Sequence, residues 1–144
     1  MTTTTQSSAP PTYEYEAELV RVVDGDTIIL RLHKDFMFPV DFGFNISDEV
    51  HLHKSSVQTF RLLGINTPEV VGEEKVKGLQ AKEALVRFIE NATLRVVSHG
   101  KDKYGRWLGT LYMKPVGTNG NVPIPEVNVN DWLISEGLAV PYMV

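Results

Sequence analysis

The chain has 144 residues, of which 42% are hydrophobic and 22% are charged, a composition typical of a globular protein. It contains no cysteine, which excludes disulfide frameworks, cysteine-ligated zinc and thiol nucleophiles. No apolar run approaches the ~18 residues of a membrane span, and a net charge of −4 argues against binding nucleic acid through bulk charge alone.

Residues 1–12 (MTTTTQSSAPPT) have neither the basic nor the apolar region of a signal peptide. Thr, Ser and Pro dominate them, so we expect a disordered leader followed by a single domain over residues 13–144. With no visible export signal, cytoplasmic is the default location, and secretion stays open if a signal was removed. A monomer is the default assembly.

The first strands are predicted from apolar patterning. Residues 19–23 form a β-branched run, and residues 27–32 alternate at period 2. Asp24-Gly25-Asp26 between them is a turn sequence, so the two strands form a hairpin. A further strand is predicted over residues 57–63, with Phe60 and Leu62 pointing inward.

Residues 33–56 are harder to interpret. Alternation of apolar residues from Phe36 to Phe42 favours an extra strand followed by a loop. The aromatic side chains could form a platform for stacking bases, but alternating aromatics in a β protein are more often core. We therefore predict a core position for Phe36, Phe38, Phe42 and Phe44.

The remaining elements alternate between helix and strand. Apolar residues at helical spacing predict a helix over residues 78–91, with Ala81, Ala84, Leu85, Phe88 and Ile89 on one face. Residues 94–97 and 107–113 are predicted strands, and Asn128 or Asn130 caps a last helix that Gly137 ends. The order predicts a mainly β protein with helices (α+β class). It is compatible with a small closed barrel of the OB type, although order alone does not select it.

Two acidic segments could bind a cation. Asp24 and Asp26 flank a glycine, and paired carboxylates suit hard cations such as calcium, although the segment taken alone is more often a plain hairpin turn. In the second segment, Arg61 lies within an apolar strand, which is costly unless it is paired, or snorkels at a sheet edge. That strand ends in Asn66-Thr67-Pro68-Glu69, which displays a carbonyl, an amide oxygen and a carboxylate.

A third segment, Asp102-Lys103-Tyr104-Gly105-Arg106-Trp107, is basic and aromatic. Arg106 offers a planar fork to phosphate oxygens and Tyr104 offers a ring for base stacking, while the alternative is a charged hairpin tip. Residues 94–114 carry five basic side chains against one acid, so an acidic chain can still grip phosphate locally.

Taken together, the order of these segments resembles the staphylococcal-nuclease-like (thermonuclease) family. The matching patterns are V-x-D-G-D-T, F-R-L-L-G-I-x-T-P-E, the amphipathic helix, D-K-Y-G-R and V-N-x-x-L-x-x-x-G-L-A, from about residue 18 to 142. The resemblance implies a five-stranded OB-fold barrel with an inserted helix and a C-terminal helix. It also implies calcium-dependent hydrolysis of DNA and RNA, with single strands preferred, that leaves 5′-hydroxyl and 3′-phosphate ends.

The resemblance also implies a role for each matching residue. The calcium ligands would be Asp26, Asn66 and the carbonyl of Thr67, with Asp24 in the outer shell. Glu69 would orient or deprotonate the attacking water, and Arg61 and Arg106 would grip the phosphate. Lys103 and Tyr104 would contact the nucleotide.

Asn66 departs from the family pattern, in which the best-known members have aspartate. An amide oxygen can ligate calcium but brings no charge, so we expect weaker calcium binding. The site would then work at higher calcium, be compensated by Asp24, or be degenerate. Asp26, Arg61, Glu69 and Arg106 are all present, which favours an active enzyme. The alternative is a weak or inactive nucleic-acid-binding or protein-interaction module.

Two further features are interpreted as structural. His51 and His53 would share a face of a strand in a way that suits zinc, but no third ligand is in view, so we predict two solvated loop residues. Glu73 and Glu74 precede the predicted helix, where carboxylates suit the positive end of the helix dipole.

Overall fold

The architecture comes from a computed structural model that describes residues 13–115, 118–120 and 122–142. The predicted disordered leader, residues 1–12, lies outside the described residues. Within these ranges, no helix combines the length and the apolar character needed to cross a bilayer.

The strands are long at the N-terminal end of the chain and short at the other. The elements in chain order are β1 (Tyr13–Asp24), β2 (Thr27–Gly43), β3 (Ile46–Leu62), β4 (Ile65–Asn66), a 3₁₀ turn (Gly72–Glu74), α1 (Lys75–Ile89), β5 (Thr93–Lys101), β6 (Trp107–Lys114), β7 (Thr118–Asn119), β8 (Val122–Pro123), β9 (Val127–Asn128), α2 (Val129–Ser135) and β10 (Val140–Pro141).

The main sheet closes on itself. Its strand order is β3-β2-β1-β5-β6-β9, and β3 also pairs in parallel with β6, from Phe60↔Trp107 to Leu62↔Gly109. This pairing turns β3, β2, β1, β5 and β6 into a five-stranded ring, with the short β9 added beside β6. Helix α1 is inserted between β4 and β5, and α2 lies near the C-terminal end of the chain. The predicted α+β class and OB-type architecture are confirmed.

Period-2 alternation fills the ring with apolar side chains. Ile28, Leu30, Phe60 and Leu62 are fully buried because alternate residues of each strand face its interior. The predicted helix begins at Lys75, three residues before Gly78, and its predicted face is buried at Ala81, Leu85 and Ile89. Asn128 is the N-cap of α2, and its side chain accepts a hydrogen bond from the Asp131 amide, so the first of the two predicted caps is the one used.

The segment predicted as a strand followed by a loop is one continuous hairpin. β2 and β3 pair from Thr27↔Arg61 to Gly43↔Ile46, so the loop predicted before residue 57 is wrong. β1 follows β2 only as far as Glu16↔His33. Residues 34–54 therefore form a two-stranded ribbon, called the ribbon below, beside which no other strand lies in the described ranges.

The aromatic residues of the ribbon are not core. The prediction for them is wrong because alternation indicates which side chains share a face but not whether another element covers that face. The residues that close the ring, Phe60 to Leu62, lie at the base of the hairpin, and the rest extends beyond it. The exposed fractions are 44% for Phe36, 43% for Phe38, 64% for Phe42 and 97% for Phe44.

Candidate functional site

A polar cavity of about 190 Å³ lies where the β1–β2 turn, the end of β3, the segment after β4 and the start of β6 meet. It brings together every residue for which the sequence predicts a catalytic or metal-binding role, although they are spread over more than half of the chain. The lining residues are Asp24, Asp26, Thr27, Arg61, Asn66, Thr67, Pro68, Glu69 and Arg106.

Asp26 is the buried centre of this cavity. Its Oδ2 accepts a hydrogen bond from the Thr67 amide at 3.0 Å, and its Oδ1 accepts one from the Thr27 hydroxyl at 3.1 Å. The side chain therefore ties the β1–β2 turn to the segment that leaves β4. Because the Thr67 amide is held by Asp26, the two predicted ligand positions are fixed relative to each other.

Arg61 projects from β3 into the same cavity and is only 14% exposed. Its Nη1 lies 3.0 Å from Asp26 Oδ2, which is an ion-pair distance, but the angle does not make a hydrogen bond and the nitrogen has no other partner among the described residues. Its Nη2 donates a long bond of 3.4 Å to Asn66 Oδ1. A buried guanidinium with an unused N–H can donate to an anionic ligand without first breaking a good hydrogen bond.

Negative charge accumulates at the β1–β2 turn. Burial raises the pKa of the Asp24 carboxyl above its ordinary value, and the charge of neighbouring Asp26 raises it further. Two carboxylates therefore lie close together at this turn, and a bound cation would offset the repulsion between them.

The donors in the cavity fit a hard cation. The described residues contain no group of three or more His, Cys, Asp or Glu side chains arranged to hold a metal ion. A metal would therefore need Asp26 together with the Asn66 amide oxygen and the Thr67 carbonyl, which are all oxygen ligands of the kind calcium prefers. Thr67 Oγ1 is also buried without a hydrogen-bond partner in the described residues, so one more oxygen atom beside the cavity is available to a ligand.

Arg106 is held in place by the turn before β6. Asp102 Oδ2 accepts a bond from Arg106 Nε at 2.8 Å, and its Oδ1 accepts from the Arg106 and Tyr104 amides at 2.9 and 2.8 Å. Burial alone would raise the pKa of Asp102, but these donors outweigh it and the pKa lies below its ordinary value. Asp102 therefore stays ionised and orients Arg106 through Nε, which leaves the two terminal nitrogens for a ligand.

Glu69 is an exposed residue at the cavity, and a close helix contact positions its backbone. A Cβ added at Gly78 of α1 would lie 2.0 Å from the Glu69 carbonyl oxygen and 2.8 Å from the Val70 amide nitrogen. Glu74 Oε2 also accepts a hydrogen bond from the Glu69 amide at 3.2 Å. The first turn of α1 thus determines where Glu69 sits.

Gly78→Ala tests this positioning. Alanine at an ordinary helix position stabilises by about 1 kcal/mol relative to glycine. Here we expect the opposite, a loss of about 1–3 kcal/mol, because the added methyl group overlaps backbone atoms that must move. Urea unfolding followed by fluorescence would measure the change, and a gain in stability would show that Glu69 is not held by this contact.

Sequence reasoning missed several residues that shape the cavity. The sequence predicts no role for the side chains of Thr27 and Tyr142. The Thr27 hydroxyl nevertheless donates to Asp26, and the centre of the Tyr142 ring lies 5.8 Å from the Arg61 guanidinium carbon. For Asn130 the sequence predicts only a role as one of two alternative helix caps. Its buried amide bonds the Leu63 and Gly109 carbonyls and the Leu111 amide, tying α2 to the ring. A polar residue on the buried side of a helix was the available signal for Asn130.

The other candidates lie outside the cavity. Lys103 and Tyr104 are exposed on the turn beside it, with the Arg106 guanidinium carbon 5.5 Å from the Tyr104 ring. His51 and His53 are exposed as predicted, but they lie on β3 rather than in a loop. His53 bonds Asp35 at 2.7 Å and His33 at 3.1 Å. Glu73 and Glu74 form part of the 3₁₀ turn before α1.

The chain is similar to known proteins over almost its whole length. The family model described as "Staphylococcal nuclease homologue" matches residues 59–144. The protein named ParB of Escherichia coli is 28% identical over 135 residues, which cover 94% of this chain and 62% of that protein. The micrococcal nuclease of Shigella flexneri is 25% identical over 135 residues, covering 94% of this chain and 63% of that protein. The chain thus spans about three fifths of each relative.

Proposed function

Because the chain belongs to the staphylococcal nuclease homologue family, we propose that it is a calcium-dependent nuclease that hydrolyses phosphodiester bonds in DNA and RNA with low sequence specificity. The observation that carries this proposal is the polar cavity, which holds three carboxylates, two arginines and further oxygen ligands. The relative named micrococcal nuclease supports the same class of activity.

The two arginines would bind the scissile phosphate from two sides. Arg61 has a buried N–H without a hydrogen bond, and Arg106 has both terminal nitrogens free of its Asp102 contact. Both would stabilise the negative charge that grows on the phosphoryl oxygens in the transition state. Because Asp102 already orients Arg106, little reorganisation is needed when substrate arrives.

Glu69 would direct the attacking water. Its carboxylate accepts one proton from water while the water oxygen bonds to phosphorus and the bond between phosphorus and the 5′ oxygen breaks. The 5′ oxygen then takes up a proton from solvent water, and the exposed Glu69 returns its proton to solvent, so the products end in a 5′-hydroxyl and a 3′-phosphate. A calcium ion bound by Asp26, Asn66 and the Thr67 carbonyl, with Asp24 nearby, would supply positive charge beside the phosphate.

The proposal is tested by cleavage of denatured DNA in millimolar calcium and in excess chelator. We expect cleavage in calcium, none in chelator, and products whose 3′ ends release phosphate with a phosphatase. Well-folded protein that cleaves nothing even in excess calcium would overturn the proposal. That outcome would favour the alternative, an inactive binding module, which the acidic net charge and Asn66 support.

Asn66→Asp is expected to tighten calcium binding by about tenfold, because it adds a charged oxygen ligand at a position that now offers a neutral one. Calorimetric titration with calcium would measure the change. Asn45→Asp, at the turn of the ribbon, adds the same charge away from the cavity and should leave calcium affinity unchanged. Equal affinities for Asn66→Asp and the unchanged protein would remove Asn66 from the ligand set.

A further inference from the structure

A second, larger pocket lies where the ribbon leaves the ring, and it shares no residue with the polar cavity. Its volume of about 570 Å³ falls within the range of small-ligand sites. Five aromatic side chains line it, from β1, β2, β3 and β6: Tyr13, Tyr15, Phe36, Phe60 and Trp107. These flat rings, on different strands, suit a flat ligand.

The mouth of this pocket is positively charged. Lys34 and Lys54 both line it and lie directly opposite each other across β2 and β3. Like charges in such a pair repel each other, and neither lysine has a carboxylate within ion-pair distance in the described parts of the chain. Lys101 adds a third charge, with its Nζ 4.6 Å from the centre of the Trp107 ring. An anion bound beside the aromatic rings would offset the repulsion between these positive charges.

Polar groups are also present among the rings. The Trp107 indole N–H donates to Gln58 Oε1 at 3.1 Å, and Gln58 Nε2 donates to Ser56 Oγ at 2.9 Å. Gln58 and Ser56 are lining residues, so an amide and a hydroxyl face the same space as the rings. Such groups can bond the edge of a nucleobase while aromatic rings contact its face.

We propose that this pocket binds a base of single-stranded nucleic acid next to the nucleotide held in the polar cavity, with a backbone phosphate on Lys34 and Lys54. The inference rests on the proposed nuclease function. Arg106 lines the cavity and Trp107, the next residue, lines the pocket, so the two sites meet at the start of β6. Consecutive side chains of a strand point to opposite faces, so a bound nucleic-acid strand would cross this edge of the ring to reach both sites.

The part of the pocket contributed by the ribbon lies outside the residues that the family model matches. Lys34, Phe36 and Lys54 all precede residue 59, where the match to the family model begins. The bound strand would also explain why apolar side chains on this face of the ribbon are exposed, since Phe36 and Phe38 are alternate residues on one face of β2. The pocket therefore lengthens the binding surface beyond the cavity.

The charge contribution is tested by binding of the protein to a single-stranded DNA 12-mer in chelator, where no cleavage occurs. The double variant Lys34→Ala/Lys54→Ala is expected to bind about tenfold more weakly at 0.1 M salt and to lower the slope of log K against log salt by about 1.4, which corresponds to two lost phosphate contacts. Lys75→Ala/Lys77→Ala on α1 changes the net charge equally and should bind like the unchanged protein.

The stacking contribution is tested in the same assay with Phe36→Ala. We expect affinity to fall by about fivefold or more, since loss of an aromatic ring removes base stacking. Phe44→Ala at the turn of the ribbon, outside the pocket, is the matched control and should have no effect. Binding of the 12-mer should also quench Trp107 fluorescence, measured with Trp132→Phe to remove the second tryptophan.

The outcomes separate this inference from the nuclease proposal. Equal 12-mer affinity and slope for the Lys34/Lys54 variant and its control would overturn the inference, even if calcium-dependent cleavage of a dinucleotide is intact. Self-association that Phe36→Ala abolishes and the 12-mer does not compete with would also overturn it, because a second copy would then occupy the pocket. Weaker 12-mer binding by the Lys34/Lys54 variant, together with no cleavage by the unchanged protein in excess calcium, would support the pocket and overturn the nuclease proposal.

Discussion

Glu69→Gln is expected to lower kcat for hydrolysis of denatured DNA by about 10²- to 10⁴-fold, the contribution of a well-placed general base. The amide has nearly the same shape as the carboxylate but cannot accept a proton from water at neutral pH. Because Glu69 is an exposed residue and no side-chain hydrogen bond holds it among the described residues, the fold should not change. Steady-state rates at saturating calcium would measure the effect.

Glu73→Gln is the matched control for this variant. Glu73 lies a few residues along the same segment, in the 3₁₀ turn, and does not line the cavity, so the change removes the same charge without touching the proposed water. Its rate should stay within about twofold of the unchanged protein. If Glu69→Gln also kept its rate, Glu69 would not be the base, and a module whose function tolerates that change would be the better description.

Arg106→Ala is expected to lower turnover by at least about 10²-fold, the scale for loss of one donor that stabilises charge in a transition state. The effect should fall mainly on kcat rather than on KM, because the arginine acts where negative charge develops. Arg106→Lys keeps the charge but loses the planar fork and the Nε bond to Asp102, so it should recover only part of the activity.

Arg87→Ala controls for the loss of a positive charge. Arg87 is exposed in the last turn of α1 and lines neither the cavity nor the aromatic pocket, so its removal should change turnover less than twofold. A loss of less than threefold for Arg106→Ala would exclude this residue from the mechanism. The same result would leave Arg61 as the main phosphate contact.

The sequence predicts this fold well where local patterns coincide with the final environment. Phe60 and Leu62 alternate in a part of β3 that has β2 on one side and β6 on the other, so that their face points into the closed ring. Periodicity therefore correctly predicts their burial. The same alternation at Phe36 and Phe38 gives a wrong burial prediction. The difference is made by the parallel pairing of β3 with β6, which covers only the base of the hairpin and depends on residues far away in the chain.

The sequence predicts which residues form the candidate site but not the contacts that fix their positions. The residues of the cavity follow from motifs, because turns and strand ends are local features. Gly78 has no local signal for its role, since a glycine in an amphipathic helix shows nothing of the Glu69 carbonyl packed against it. The Tyr142 ring beside Arg61 likewise results from the pairing of β10 with β4.

The parallel pairing that closes the ring has a consequence for how the protein folds. It joins Arg61↔Leu108 across a long loop of chain, whereas the ribbon is a hairpin whose two halves are neighbours in sequence. Contacts across long loops form late because their closure entropy must be overcome first. The ribbon can therefore be present before Arg61 and Arg106 face the same cavity, so DNA cleavage would appear with the last step of folding and would be the first property lost when that closure is weakened.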